Sequence, residues 1–308
     1  MTRTLSIGIT TRDRPDALRA CIESLAVVDH LNPQILIFDD RSSVPVERQL
    51  DGLDVRVRVL TDRSTEGYIA GRNRLMKAAE GELVLLLDDD ARLLTAEAIE
   101  AAIATMRRDS RIGAIGFAQA EADGRPWPAA MQPSRATKAA VVPSFIGFAH
   151  LLRRVVFLDV GGYRESFGFY GEEKDFCLRL LEVGYLTVYL PEALVAHVPD
   201  PGGRSQQRYL RFVVRNDCFN TLYNDPISRV IWLLPARYAL YFRMRHGWGI
   251  HDPWGWTWLL RELWSGMPDV VAHRRPVSRR TMAAWRALKR TETAYAAPLA
   301  DAGGRSGI

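Results

Sequence analysis

An α/β fold built on a Rossmann-like, mostly parallel sheet flanked by helices is what this sequence predicts, and three observations carry the prediction. Short apolar runs alternate with segments of helical periodicity through about the first 120 residues. The run Leu83–Leu87 is continuously aliphatic, as a strand covered on both faces requires. Polar residues follow the apolar runs at their C-terminal ends, where open α/β sheets bind ligands.

The elements follow in order. Leu5 to Thr10 reads as the first strand and runs into the polar turn Thr11-Arg12-Asp13-Arg14. Pro15 opens a helix with Leu18, Cys21, Ile22 and Leu25 at helical spacing. Gln34 to Phe38 is a second strand ending in Asp39-Asp40. Val55 to Leu60 alternates Val with Arg, the pattern of a half-exposed or edge strand. Gly67 to Ala79 reads as a helix, followed by the strand from Leu83, a helix from Thr95 to Arg108 and a strand from Ile112 to Phe117.

From Ala118 to Pro143 the pattern lapses, and the segment reads as irregular, a mobile flap over the site. Order returns at Ser144 to Phe148, and Arg153 to Val160 follows. Glu172 to Val183 is helical and stops at Gly184. Leu186 to Leu190 is a strand, from which Pro191 to His197 leads away. Arg204 to Tyr223 and Ile227 to Met244 read as helices, and the tail after Pro298 as disordered.

Composition narrows the class. The 308 residues suffice for one large or two small domains. Cys21, Cys177 and Cys218 are widely spaced and lack metal-ligand spacing, which predicts reduced, buried thiols and a cytoplasmic protein. The opening Met1 to Ile7 has no signal-peptide apolar core, and no run approaches the roughly 20 apolar residues of a membrane span. Between Pro226 and Glu292 twelve Lys and Arg stand against four Asp and Glu, a local charge of +8. The rest of the chain carries −3, within a total of +5. An anionic partner is therefore expected for the C-terminal part alone.

The chemistry centres on Asp88-Asp89-Asp90, three consecutive carboxylates at the end of a buried strand. Such crowding is relieved when a cation neutralises it. Extended alternation would set Asp88 and Asp90 toward one crevice and Asp89 away from it.

Seven stretches, in order, resemble the family 2 glycosyltransferases, nucleotide-sugar-dependent enzymes of the GT-A fold. They are Ser6 to Pro15, Ile37 to Ser42, Glu66 to Asn73, Leu87 to Asp90, Val160 to Glu165, Phe169 to Leu180 and Tyr189 to His197, together covering about residues 4 to 200. The resemblance implies a role for each. Asp88 and Asp90 would hold Mg²⁺ or Mn²⁺ against the donor's diphosphate, with His197 as a third ligand. Asp39 or Asp40 would accept from the nucleotide base, and Thr11 and Arg12 would line its pocket. Gly67, Arg72, Asn73 and Asp89 would lie near the nucleotide and diphosphate. Inverting transfer needs a general base for the acceptor hydroxyl, and Glu173 stands where the family usually has Asp; Glu172 is the alternative. Both also suit the first turn of a helix for ordinary electrostatic reasons.

Arg41 departs from the family's small Gly after the Asp pair, which predicts a differently shaped turn. The processive signature Gln-x-x-Arg-Trp is missing, since Gln207 to Phe212 has one residue too many, which predicts transfer of a single sugar. The donor would be a UDP-, GDP- or dTDP-sugar, and the acceptor a glycan, a lipid-linked molecule or a small secondary metabolite. A scaffold that binds nucleotide sugars without catalysis is the competing class; a nucleotidyltransferase would need a Gly-rich loop after the first strand. The expected organisation is a catalytic domain over 1–225 (nucleotide-binding half about 1–120, acceptor half about 144–225), a helical extension over 226–297 and a disordered tail over 298–308. The extension holds Trp232, Trp248, Trp254, Trp256, Trp258 and Trp264 among its Arg residues. That pattern suits peripheral binding to an anionic membrane surface at the inner face of the cell membrane, or packing against the catalytic domain or a second subunit of a homodimer. No nucleic-acid motif accompanies the charge.

Overall fold

The computed structural model describes residues 4–62, 64, 66–199 and 205–298. Its first half alternates strand and helix: β1 (Leu5–Thr11), α1 (Pro15–Ser24), β2 (Gln34–Asp39), the single turn α2 (Val46–Gln49), β3 (Val57–Thr61), α3 (Tyr68–Ala78), β4 (Leu83–Asp88), β5 (Ala91–Leu93), α4 (Ala96–Arg108) and β6 (Ile112–Ala120). The second half is less regular, with β7 (Ala140–Val141), β8 (Ala149–Arg153), α5 (Arg154–Val160), α6 (Glu172–Glu182) and β9 (Leu186–His197). Helices α7 (Gln206–Asn224), α8 (Ile227–Gly247), α9 (Gly255–Ser265), α10 (Met267–His273) and α11 (Arg279–Arg290) lead to the short β10 (Thr293–Ala294).

One ten-stranded sheet runs β10-β7-β9-β6-β8-β4-β1-β2-β3, with β5 paired to β9 off that path. β3 is an edge strand with alternating exposure, as its Val/Arg alternation predicts. Parallel pairing of β1 with β2 and β4 levels their ends: Thr10 lies opposite Asp88, and Thr11 opposite Asp39. This level edge collects the polar residues of three strands. β8 enters antiparallel between β4 and β6, making the sheet mixed on that side. Its five residues carry a buried His and a terminal Arg, too short and too polar to stand out as a strand.

Alternation along β4 divides two cores. Leu83, Leu85 and Leu87 pack with Leu5, Ile7 and Ile9 of β1 against Leu18 of α1 and Ile99 of α4. Val84 and Leu86 face the other side, with Phe38, Leu75 and Met76. Full burial of such a side chain contributes roughly 1.5–3 kcal/mol. The strand that ends in the acidic triplet is thus anchored on both faces. On the second face α3 comes very close to β2, because a Cβ on Gly71 would sit 2.4 Å from the Phe38 ring. That approach delivers the next residue, Arg72, to the interior.

Two expectations are revised. Residues 118–143 are no free flap: β6 extends to Ala120, and the Gln132 carboxamide accepts from Gln119 N–H and donates to Gln119 C=O, each at 2.8 Å. Pro191 does not end its strand. β9 continues to His197 past a register shift beside Leu190, because the irregularity absorbs the missing N–H. In the 226–297 segment α8 and α9 pack on α7, Trp285 of α11 bonds Pro143, and β10 completes the sheet beside β7. All of the predicted tail except Pro298 lies outside the described residues.

Candidate active site

The acidic triplet does not follow strand alternation, because β4 ends at Asp88 and the chain turns. Asp89 is therefore not directed away from its neighbours. Asp89 and Asp90 share one guanidinium, with Arg14 donating at 2.5 Å to Asp89 and 3.0 Å to Asp90. Thr11 Oγ1 also donates to Asp89, at 2.8 Å. Burial pushes the Asp89 carboxyl up to about 7, against Arg14 and the Thr11 hydrogen bond.

Asp88 points elsewhere. Its Oδ1 accepts from Arg72 at 2.6 Å, and its side chain is one-third exposed.

Asp90 faces His197, whose Nε2 lies 3.5 Å from Asp90 Oδ1. The buried Oδ1 accepts no hydrogen bond. The other ring nitrogen, Nδ1, meets Gln119 Oε1 at 2.6 Å. An amide oxygen only accepts, so Nδ1 carries the proton and, in the neutral ring, Nε2 presents its lone pair to Asp90. Two facing acceptors in a buried place suit a cation between them. Stacking of Trp127 and Phe148 on the imidazole, with centroids 5.3 and 4.8 Å away, fixes the ring. Among the described residues, no three or more His, Cys, Asp and Glu side chains converge on one point. Asp90 and His197 are therefore the pair that could hold a cation, and further oxygens would come from Asp88, the ligand or water.

Arg72 is the hinge between this edge and the second half of the chain. Its guanidinium is buried and donates to Glu172 Oε1 at 2.9 Å, to Asp88 and to the Gly147 carbonyl at 2.7 Å, while Tyr68 stacks over it at 4.6 Å. Burial opposes its charge, but Asp88 and Glu172 outweigh that and raise its pKa. Glu172 is wholly buried and also accepts from Tyr68 at 3.3 Å. Glu173 is only half-buried, and its carboxylate lies beside Gly147. Burial raises both acids above the ordinary carboxylate range; the neighbouring charge of Glu173 adds to the rise at Glu172, while Arg72 partly offsets it at Glu173.

Asn73 does not line the cleft. Its carboxamide accepts from Tyr163 N–H at 2.9 Å and donates to Tyr163 C=O at 2.8 Å and Glu165 at 2.9 Å, so it clamps the turn after α5. At the β2 end, Asp39 accepts from Ser42 N–H at 2.8 Å. Asp40 accepts from Gly67 N–H at 3.0 Å and lies 3.8 Å from exposed Arg12. Gly67 needs its φ of 87° to start α3 there. Arg41 takes φ 64°, the left-handed form that a glycine adopts without strain.

The approach to Glu173 is held in an unusual shape. Gly168, Tyr170 and Gly171 all have positive φ. Asn216 of α7 donates to the carbonyls of Phe167, Phe169 and Tyr170 at 3.0, 2.7 and 2.6 Å. Aromatic contacts then lead outward, Tyr170 to Tyr209 at 4.9 Å and Tyr209 to Trp248 at 5.8 Å. Arg14, Gln119, Trp127, Tyr68 and Asn216 are site residues that sequence reasoning does not single out. Their partners lie many tens of residues away; the one legible signal was Arg14 in the polar turn after β1.

Residues 6–161 match the family described as glycosyl transferase family 2. The chain is 28% identical over 227 residues to protein y4gI of Sinorhizobium fredii, and 28% over 218 to the pre-mycofactocin glycosyltransferase of Mycobacterium tuberculosis. It is 26% identical over 228 residues to the O-antigen biosynthesis protein RfbC of Myxococcus xanthus. Each match covers 63% of this chain but only 24%, 43% and 17% of the respective relative. Among solved structures, residues 1–349 of S. aureus TarS with UDP-GlcNAc superpose with a TM-score of 0.59 at 16% identity, covering 93% of this chain and 87% of that TarS fragment. The mannosyltransferase PcManGT of Pyrobaculum calidifontis, in complex with GDP-Man and Mn²⁺, gives 0.56 at 14% identity, covering 93% and 81%. These likenesses identify the fold as GT-A.

Proposed function

Since the chain belongs to glycosyl transferase family 2, we propose that it moves one sugar, with inversion, from a nucleotide-sugar donor to an acceptor hydroxyl. The observation that carries this reading is the continuous chain Asp88–Arg72–Glu172, with Glu173 beside it, which ties the acidic strand end to a half-buried carboxylate.

Glu173 takes the proton from the acceptor oxygen as that oxygen attacks the anomeric carbon opposite the departing nucleoside diphosphate. Glu172 has no exposed surface and acts as a positioning residue, holding Arg72 and biasing the proton of the pair. Thr11, Arg12, Asp39, Asp40 and Gly67 bind the nucleotide of the donor. Asp90 and His197, with Asp88, would hold Mg²⁺ or Mn²⁺, which when bound neutralises charge developing on the leaving diphosphate. The printed ligands of the two structural neighbours, UDP-GlcNAc and GDP-Man with Mn²⁺, support nucleotide sugar and metal as classes. The acceptor enters past Tyr170 and Tyr209; the relatives' names support a glycan or a small molecule.

The exposed helices support a membrane surface as a partner. No described helix is long and apolar enough to cross a membrane. Ile227, Ile231, Trp232 and Phe242 form an exposed stripe on α8, and Trp256, Leu260 and Trp264 form one on α9. A second copy would set one +8 segment against another, so the occupant is an anionic bilayer.

Calorimetry of UDP-, GDP- and dTDP-sugars with Mn²⁺, paired with turnover, tests the catalytic reading. Glu173→Gln should bind donor as before and lose about 10²–10⁴-fold in transfer. Asp90→Ala should lose the Mn²⁺-dependent part of donor binding. Normal turnover by Glu173→Gln would sink the assignment.

A further inference from the structure

A second polar cavity, of about 280 Å³, lies away from the cleft between α6, α7, α8 and α11. Five cationic side chains line it: Lys174, Arg229, Arg237, Arg286 and Arg290. Two carboxylates answer them. Asp217 pairs with Lys174 and, at 2.9 Å, with Arg237. Asp225 lies 3.2 Å from Arg229 and 3.8 Å from Arg286. The local balance is therefore +3.

Donors in the wall are left over. Asn220 is buried and its Oδ1 accepts from Asn224 at 3.3 Å, but its Nδ2 donates to nothing. The buried Nε of Arg237 likewise donates to nothing. Arg286 is held below its ordinary value by burial and by Arg229, and the adjoining Lys289 by burial and Lys174. Crowded guanidinium groups with unused N–H donors are stabilised by an anion that accepts from several directions at once.

We propose that this cavity binds a phosphate-bearing anion of the diphosphate class, at a site distinct from the catalytic cleft. Phosphate oxygens suit the forked Arg donors, and the cavity's volume of about 280 Å³ admits more than one phosphoryl group. Lys174 follows Glu173 in the first turn of α6, so occupancy is coupled to the segment that carries the proposed base.

The test is calorimetric titration of the full chain with inorganic pyrophosphate in EDTA, which removes metal-assisted binding in the cleft. Binding should weaken by about tenfold or more in Arg237→Gln/Arg286→Gln, the loss expected for charge-assisted hydrogen bonds. It should persist in Asp90→Ala. Arg290→Gln, at the exposed rim, is a milder variant that keeps the fold and should weaken binding in the same direction. Co-sedimentation with phosphatidic acid vesicles, against phosphatidylcholine vesicles, identifies the source. A loss seen only there, in the same Arg variants, assigns the site to a lipid phosphate. Absence of both kinds of binding, or binding unchanged in the Arg variants, overturns the proposal. Loss in Asp90→Ala alone would put the anion in the cleft and overturn it equally.

Discussion

Gly147 is the tightest single constraint on the proposed base. A Cβ there would lie 2.3 Å from Glu173 Oε1 and 3.0 Å from Arg72 Nη1, so the side chain must stay absent for both groups to keep their places. Gly147→Ala is expected to cut transfer by about the 10²–10⁴-fold of a lost general base, with donor affinity retained. Turnover and calorimetry on the one variant check it; an active Gly147→Ala would mean that Glu173 is free to work from elsewhere. The pH profile follows from the same pair. Because burial raises both glutamates, the acid limb of kcat/KM should lie above the ordinary carboxylate value of 4.5, and Glu172→Gln should move that limb. A limb unmoved by Glu172→Gln would uncouple the two. At this scale motif order singled out Asp88, Asp90, Glu172, Glu173 and His197 as proposed site residues. Gln119 was not, because its partner His197 is brought to it only by tertiary contact, and Arg14 showed only as part of the polar turn after β1.

Among the elements, the α7–α8–α9 packing depends on one buried acid. Asp252 accepts from Arg211 at 2.8 Å and Gln207 at 2.8 Å, and its backbone carbonyl accepts from Tyr241 at 2.9 Å. Burial pushes Asp252 up, but Arg211, Gln207 and Tyr241 together outweigh it and bring it down to about 2. The folded value is below the ordinary 3.8, so this stabilisation is present above about pH 4 and lost as pH falls toward 2. Urea unfolding across that range should show Asp252→Asn less stable than the native chain at neutral pH, with the gap closing on acidification. A constant gap would assign the loss to packing. Helices α7 and α8 were legible in the sequence, but α9 and this tie were not, because Asp252 sits in a turn that no period marks. β8 and the far end of β9 were missed for related reasons: one is short and polar, and the other passes through Pro191.

At the scale of the molecule, one chain carries both the sheet edge with the proposed catalytic groups and the exposed aromatic helices. Docking on an anionic bilayer should be salt-sensitive, since exposed charges are screened within about 10 Å at 0.1 M salt. Each exposed cation at the surface contributes about 1 kcal/mol, so Arg243→Gln should weaken co-sedimentation with anionic vesicles by about fivefold. Trp232→Ala and Trp264→Ala should also weaken it and leave transfer to a soluble acceptor unchanged. Equal recovery in the supernatant with and without anionic lipid would favour a second copy as the occupant, which sedimentation velocity would reveal. The parallel half was the most legible part of the architecture, because each of its strands is a separate apolar run. The return of α11 and β10 to the sheet was not, since their contacts are with residues more than a hundred positions earlier.

The antiparallel insertion of β8 has a consequence for the chain before it is folded. Leu87 of β4 pairs with Ile9 of β1 on one side, but its partner on the other side comes only with Ala149, so Leu83–Leu87 spends part of synthesis with one edge unpaired. Five consecutive aliphatic residues without Pro are the kind of segment that self-associates between nascent chains. The three aspartates that follow set like charge against like charge whenever two such segments meet, and so act as gatekeepers. Substitutions at Asp88–Asp90 will therefore lower the yield of soluble protein as well as any activity, and acid refolding will aggregate through this strand first.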